Sequence, residues 1–199
     1  MFAQKTYGII ILAAGNSSRL GQPKQLLQYQ NKSLIRHVAE AAVSAIGSPV
    51  IIVTGSVQNQ IADELQELSV HFVQNNEWQE GMASSIRIGI NELSKINSQT
   101  EGVILAVSDQ PFVTSELFLD LIQKAETSEN SIVACSYQNT LGTPVLFPKK
   151  YFDSLLALNG AEGAKKLLKR FQNDVVSILF PLGDIDIDTQ EDYRRLLSQ

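Results

Sequence analysis

Short apolar runs alternating with helix-period segments constrain this chain more than any other feature. Residues 7–12 (YGIIIL), 50–54 (VIIVT), 70–73 (VHFV), 103–107 (VILAV) and 132–135 (IVAC) are dominated by apolar side chains without a regular polar alternation. A strand with one wet face alternates apolar and polar side chains, whereas a strand covered on both faces does not. Between these runs, Leu34, Val38, Ala41 and Ala45 recur at helical spacing. So do Ile61, Leu65 and Leu68, then Met82, Ile86, Ile90 and Leu93, then Leu117, Leu121 and Ala125. Ser33 predicts an N-cap for the first stripe, with Gly47 and Pro49 as its stop, and Thr114 stands before the fourth. The repetition predicts an α/β fold: a Rossmann-like, mostly parallel sheet with helices on both faces, joined by right-handed crossovers. The last third is less regular. It predicts strands at 143–147 and 175–179 and helical stretches over 151–158, 161–171 and 191–197. No linker, repeat or low-complexity tract interrupts the chain, so residues 1–199 read as a single domain.

Composition excludes several functions. With 16 Lys and Arg against 21 Asp and Glu the formal net charge is −5, where a nucleic-acid binder carries a basic surplus or stripe. The first apolar stretch falls far short of the roughly 20 residues that span a bilayer, and its flanks lack the pattern of a signal peptide. One cysteine, Cys135, leaves no internal disulfide and no all-cysteine metal site, so a cytoplasmic location is expected. The charge is unevenly spread. Lys5, Arg19, Lys24, Lys32 and Arg36 all precede the first acidic residue, Glu40. Such a split points either to a local task for positive charge or to chance in a small sample.

Ligands of open parallel sheets bind beyond the C-terminal strand ends. The loop after the first strand reads Ala13-Ala14-Gly15-Asn16-Ser17-Ser18-Arg19-Leu20-Gly21-Gln22-Pro23-Lys24. Small residues at the strand end and two glycines let backbone N–H groups turn toward one ligand. Arg19 and Lys24 add charge-assisted bonds suited to phosphate oxygens. Neither GxxxxGK[ST] nor GxGxxG is present. A surface loop with incidental charges is the plainer alternative.

Carboxylates follow at later strand ends. Asp109, in Ser108-Asp109-Gln110-Pro111, falls at the same sheet edge. A carboxylate facing a phosphate loop calls for a cation between them, and Mg²⁺ takes one or two carboxylates plus substrate phosphates. An Asp before Pro is also a common turn former. Alternation puts Asp184, Asp186 and Asp188 on one face of an extended segment. An EF-hand is excluded there, because Thr189 stands where glycine is needed and Arg195 where glutamate is needed. Asp188 or Thr189 also suits the N-cap of a closing helix. His37, His71, Trp78, Cys135 and the basic group Lys149, Lys150, Lys165, Lys166, Lys169 and Arg170 read as structural or solvated positions.

Taken together, these segments resemble the molybdenum-cofactor nucleotidyltransferase family (MobA-like NTP transferases), and within it the cytidylyltransferase branch. LAAGNSSRLGQPKQLL is similar to the family's LAAGxSxRxGxxKxLL. GMASSIRIGI at 81–90 resembles its second nucleotide-loop motif. DQP at Asp109 and DIDTQEDY from Asp186 resemble its metal-site motifs, and GTPVLF at 142–147 a further segment. The double alanine after Leu12 is the feature that resembles the cytidine-using branch.

The resemblance implies transfer of a nucleoside monophosphate from an NTP, CTP in that branch, to a phosphate acceptor of the molybdopterin type, with release of pyrophosphate. It implies a nucleotide-binding part at about 1–110 and an acceptor-binding part at about 111–199. Ala13, Ala14 and Gly15 would contact the nucleotide through backbone, and Gly81 and Ser85 would lie by the base and ribose. Arg19 and Lys24 would hold the triphosphate, with Asp109 as a catalytic metal ligand. Asp109 and Asp188 would bind Mg²⁺ with Asp186 as helper. A molybdoenzyme or its chaperone would be a protein partner. This chain departs from the family where relatives show GDxGAR, carrying Gly160-Ala161-Glu162-Gly163-Ala164-Lys165 instead, and in Gln190 replacing a proline. Two other functions fit the residues: nucleotidyl transfer to a sugar or alditol phosphate, and a non-catalytic nucleotide- or cofactor-binding accessory role in molybdoenzyme maturation.

Overall fold

The computed structural model describes residues 6–15, 20–185 and 187–198. Strands β1 (Tyr7–Ala13), β4 (Val50–Thr54), β5 (His71–Gln74), β6 (Gly102–Val107), β7 (Ile132–Tyr137) and β9 (Val175–Leu179) grow from the apolar runs. With β8 (Thr140–Pro148) they form one sheet of order β5-β4-β1-β6-β8-β7-β9. β2 (Gln28–Tyr29) and β3 (Lys32–Ser33) make a separate small hairpin. β1 pairs in parallel with β4 and β6, β4 with β5, and β7 with β9.

The sheet is mostly parallel, as predicted, but β8 runs antiparallel between β6 and β7. Hydrophobicity alone cannot distinguish that direction. The sign is in the turn: Gln138 and Asn139 take φ of 43° and 60°, the left-handed pair that a two-residue hairpin requires.

Alternation along β1 explains its unbroken apolarity. Ile9 and Ile11 face a layer containing α1 (Leu34–Ile46) and α4 (Ser115–Thr127). Ile10 faces the opposite layer, with α3 (Met82–Ile96), α5 (Phe152–Leu156) and α6 (Ala164–Arg170). All three isoleucines are fully buried. α2 (Gln58–Glu64) follows β4, and α7 (Gln190–Leu197) packs Leu196 with Ile187, Leu20, Leu27 and Tyr29 in a smaller cluster under the first loop.

The caps follow the sequence signals. Ser33 accepts the Arg36 N–H, Gly47 closes α1 at φ 68°, and Thr114 accepts the Leu117 N–H. At α7 Thr189 is the cap, in a reciprocal box with Asp192. α6 starts at Ala164 rather than Ala161, because residues 160–163 form a loop with Gly160 at φ 58°. Among the described residues no helix is long and apolar enough to cross a membrane.

Cys135 lies inside the sheet, fully buried, and burial pushes its thiol pKa up to about 12. The thiolate is the reactive form. A thiol reagent at pH 8 is therefore expected to leave Cys135 unmodified in the native protein and to titrate one thiol after denaturation. Rapid modification of the native chain would contradict the burial.

Candidate active site

Parallel pairing brings the C-terminal ends of β1 and β6 side by side, Leu12 opposite Val107. The loop after β1 and the turn carrying Asp109 therefore share one edge. Ala13 and Ala14 are buried against the strand end. Gln25, 1% exposed, donates from Nε2 to the carbonyls of Ala13 (2.8 Å) and Gly15 (3.1 Å), which ties the returning arm of the loop to its start. A Cβ on Gly15 would meet nothing within 4 Å, so its outer side is open. Gly21 turns the chain at φ 71°. Pro23 then leads into a 3-10 turn, Lys24–Leu26, that aims Lys24 across the strand ends.

The Lys24 ammonium stands between two carboxylates, 2.5 Å from Asp109 Oδ2 and 3.0 Å from Asp188 Oδ1. Burial by itself would push the Lys24 pKa down. Asp109 and then Asp188, as charges and hydrogen-bond acceptors, outweigh that and hold it above the ordinary value of 10.5. Asp109 is 6% exposed at the end of β6. Asp188 is presented between buried Ile187 and the α7 cap Thr189. The convergence of two oxygen donors on one cationic point fits a divalent metal that takes few protein carboxylates and completes its shell with phosphate and water. Among the described residues no group of three or more His, Cys, Asp and Glu could hold a metal unaided. Arg19 and Asp186 lie outside the described residues.

A second wall comes from the segment after β5. Asn75 is fully buried and donates to Ser84 Oγ (2.8 Å) and Ser85 Oγ (2.9 Å), while its Oδ1 accepts the Glu77 N–H. This sets the first turn of α3 and, with it, Ser85. Gly81 precedes the helix at φ 123°, ψ −171°, a region essentially closed to other residues. A Cβ there would lie 2.5 Å from the Gly160 carbonyl oxygen. Gly81→Ala is expected to destabilise the fold by about 1–3 kcal/mol and to weaken nucleotide binding, read by thermal melting and ligand titration. A variant with unchanged melting and affinity would contradict this packing.

The same contact ties residues 160–163 to the start of α3. The Ala83 N–H donates to the Gly160 carbonyl (3.1 Å), the Gly160 N–H to Glu80 Oε1 (3.3 Å), and Arg87 bridges Glu80 and the Leu158 carbonyl. A Cβ on Gly163 would come within 2.6 Å of Met82 Sδ. Gly163 is thus a close-approach position against α3, whereas Gly160 is needed for its left-handed φ of 58°. Glu162 pairs with Lys166, and Lys165 reaches a cavity wall.

Two cavities meet at this edge. One of about 490 Å³ is lined by Ala14, Gly15, Gln25, Trp78, Gly81 and Ser85. The other, about 620 Å³, is lined by Gln110, Tyr137, Thr143, Lys165, Asp184 and Asp188. Leu12, Lys24, Met82, Val107 and Asp109 belong to both. Of the residues singled out from sequence, Ala14, Gly15, Gly81 and Ser85 line the smaller cavity, Asp188 the larger, and Lys24 and Asp109 the junction. Ala13 lies beneath the wall and contributes its carbonyl to Gln25. Sequence reasoning missed Asn75, Gln25 and Gln110, whose amides carry neither charge nor periodicity. Their one signal is position, immediately after a strand or beside a charged site residue.

The chain matches the MobA-like NTP transferase domain over residues 9–175. The crystal structure of Rv0371c from Mycobacterium tuberculosis H37Rv superimposes with a TM-score of 0.83 at 28% identity, covering 100% of both chains. A manganese complex of the same protein aligns at a TM-score of 0.78 and 26% identity, covering 98% of this chain and 100% of that one. The purine catabolism protein PucB of Bacillus subtilis is 26% identical across 95% of this chain and 96% of its own length. The bifunctional protein GlmU of Thermobifida fusca is 26% identical over 68% of this chain, which spans only 29% of that longer protein. With the motif-bearing loops gathered at one sheet edge and most of its length matched, the chain belongs to the MobA-like NTP transferase family of nucleotidyltransferase-type domains.

Proposed function

We propose that this protein is a Mg²⁺-dependent cytidylyltransferase that moves CMP from CTP to the phosphate of a molybdopterin-type acceptor. One observation carries the reading: a lysine-bridged carboxylate pair stands where two cavities join. Two reactants held on either side of that junction would meet at it. The double alanine of the first loop favours CTP, and the resemblance to the molybdenum-cofactor nucleotidyltransferases favours this acceptor class. The manganese complex of Rv0371c supports a divalent metal.

In the proposed reaction an acceptor phosphate oxygen attacks the α-phosphorus in line. A new phosphoanhydride bond forms, the α–β bond breaks, and pyrophosphate leaves with that electron pair. A phosphate monoester is already nucleophilic near pH 7, so the chain supplies positioning and charge rather than a side-chain nucleophile. Ala14, Gly15 and Ser85 line the nucleotide side. Lys24 exchanges its carboxylates for the α-phosphate, where negative charge accumulates in the transition state, and Arg19 holds the leaving pyrophosphate. Asp109 and Asp188, with Asp186, would hold the metal. When bound, Mg²⁺ neutralises phosphate charge and orients the triphosphate.

Pyrophosphate release measured over the four nucleoside triphosphates, with and without molybdopterin, tests the reading. Release dependent on both CTP and molybdopterin is expected. Release with a sugar or alditol phosphate instead would reassign the acceptor, and nucleotide binding without release would point to the accessory role.

A further inference from the structure

Gln110 follows Asp109 directly and is 2% exposed. Its Nε2 donates to two backbone carbonyls from distant parts of the chain, Thr143 of β8 at 3.2 Å and Gly183 at 2.8 Å. Carbonyls only accept, so these bonds fix which end of the amide is nitrogen. The remaining oxygen, Oε1, is buried with no partner among the described residues. A buried acceptor left unmade is destabilising, and an apolar side chain of the same size would avoid that cost. An unsatisfied polar group of this kind needs a reason.

The reason lies in what the two carbonyls belong to. Gly183 opens the segment that carries Asp184 and Asp188, and Thr143 is in the strand paired beside β6. Gln110 therefore clasps three pieces at one point: the turn bearing Asp109, the wall of the larger cavity, and the start of the Asp188 segment. The far end of that segment is held separately, by buried Ile187 and by Gln190 Nε2 donating to the Leu20 carbonyl at 2.8 Å. With Gly183 and Gln190 both anchored, the Asp188 segment is tied to the rest of the chain by contacts other than the lysine between the two carboxylates.

We infer that Gln110 is a positioning residue, holding Asp109 in register with the Asp188 segment so that both carboxylates can serve one divalent cation. This rests on the two-carboxylate reading given above. Supporting residues around metal ligands typically change metal affinity or activity by about 10–100-fold when removed.

The test is Mn²⁺ binding in the presence of CTP, followed by electron paramagnetic resonance, for the wild type, Gln110→Met and Gln110→Asn. Methionine keeps the length and loses both donors, and asparagine is too short to span both carbonyls. Mn²⁺ affinity is expected to fall about 10–100-fold in Gln110→Met and by less in Gln110→Asn, with the CTP-dependent quenching of Trp78 fluorescence retained. If Gln110→Met does not fold, Gln110→Asn carries the comparison. A wild type that binds Mn²⁺ and a folded variant that binds it equally well would overturn the positioning role alone, even with a lowered melting temperature. A wild type that binds no Mn²⁺ with CTP would overturn the two-carboxylate reading as well.

Discussion

Lys24→Met is expected to slow pyrophosphate release by about 10²–10³-fold, the usual loss when one preorganised contact to developing charge is removed. The side chain bridges Asp109 and Asp188 at 2.5 and 3.0 Å and lines both cavities. An interaction gained mainly in the transition state shows in kcat more than in KM. Trp78, the single tryptophan, lines the smaller cavity, so its fluorescence is expected to report CTP binding independently. In the free protein the Lys24 charge is also expected to persist from pH 7 to pH 9. The folded-state pKa of Lys24 is raised, so the stability its charge contributes is fully present below 10.5 and is lost only as pH rises through the higher folded value. Near-normal turnover in Lys24→Met would remove Lys24 from the chemistry.

Asp109→Ala is expected to cost about 10²–10³ in rate as well, but with a different signature. Removing a metal donor weakens the cation's hold, so raising Mg²⁺ should restore part of the rate. No such rescue is expected for Lys24→Met. Lys24 keeps Asp188 as a partner in the Asp109 variant, so the fold should survive the change. Equal rates with and without Asp109, at limiting Mg²⁺, would sink its assignment.

The sheet was legible because its physics is periodic. Val50–Thr54 and Val175–Leu179 match the observed strands residue for residue, since both faces or a clear boundary define them. The sequence predicts a short strand at 143–147, whereas β8 spans Thr140–Pro148, because its early residues pair with β7 in a hairpin arm where Thr140 is exposed and Leu141 only partly buried. The loop at 160–165 carries glycines for reasons of shape: Gly160 takes a φ of 58°, and a Cβ on Gly163 would meet Met82 Sδ. Those shape requirements leave no mark in composition.

The N-terminal surplus of positive charge divides in the same way. Lys32 and Arg36 both pair with Glu40, and Arg36 also reaches the Glu64 carbonyl and Glu67. These two cations fasten the β2–β3 hairpin and α1 to their surroundings and lie in neither cavity. Lys24 alone among the described N-terminal cations stands at the junction. Charge in the sequence marked the region, and only geometry separated the anchoring cations from the one at the site. The amides of Asn75, Gln25 and Gln110 left no comparable mark, yet they hold the walls.

The most direct test of the account follows the α-phosphorus. CTP labelled with ³²P at the α-position is incubated with the protein, Mg²⁺ and molybdopterin, and the label is traced. The label is expected to appear in the acceptor, with one unlabelled pyrophosphate released for each CMP transferred. Label that stays in CTP while the protein is folded and nucleotide-bound, or that is released as free CMP with the acceptor unchanged, would contradict it.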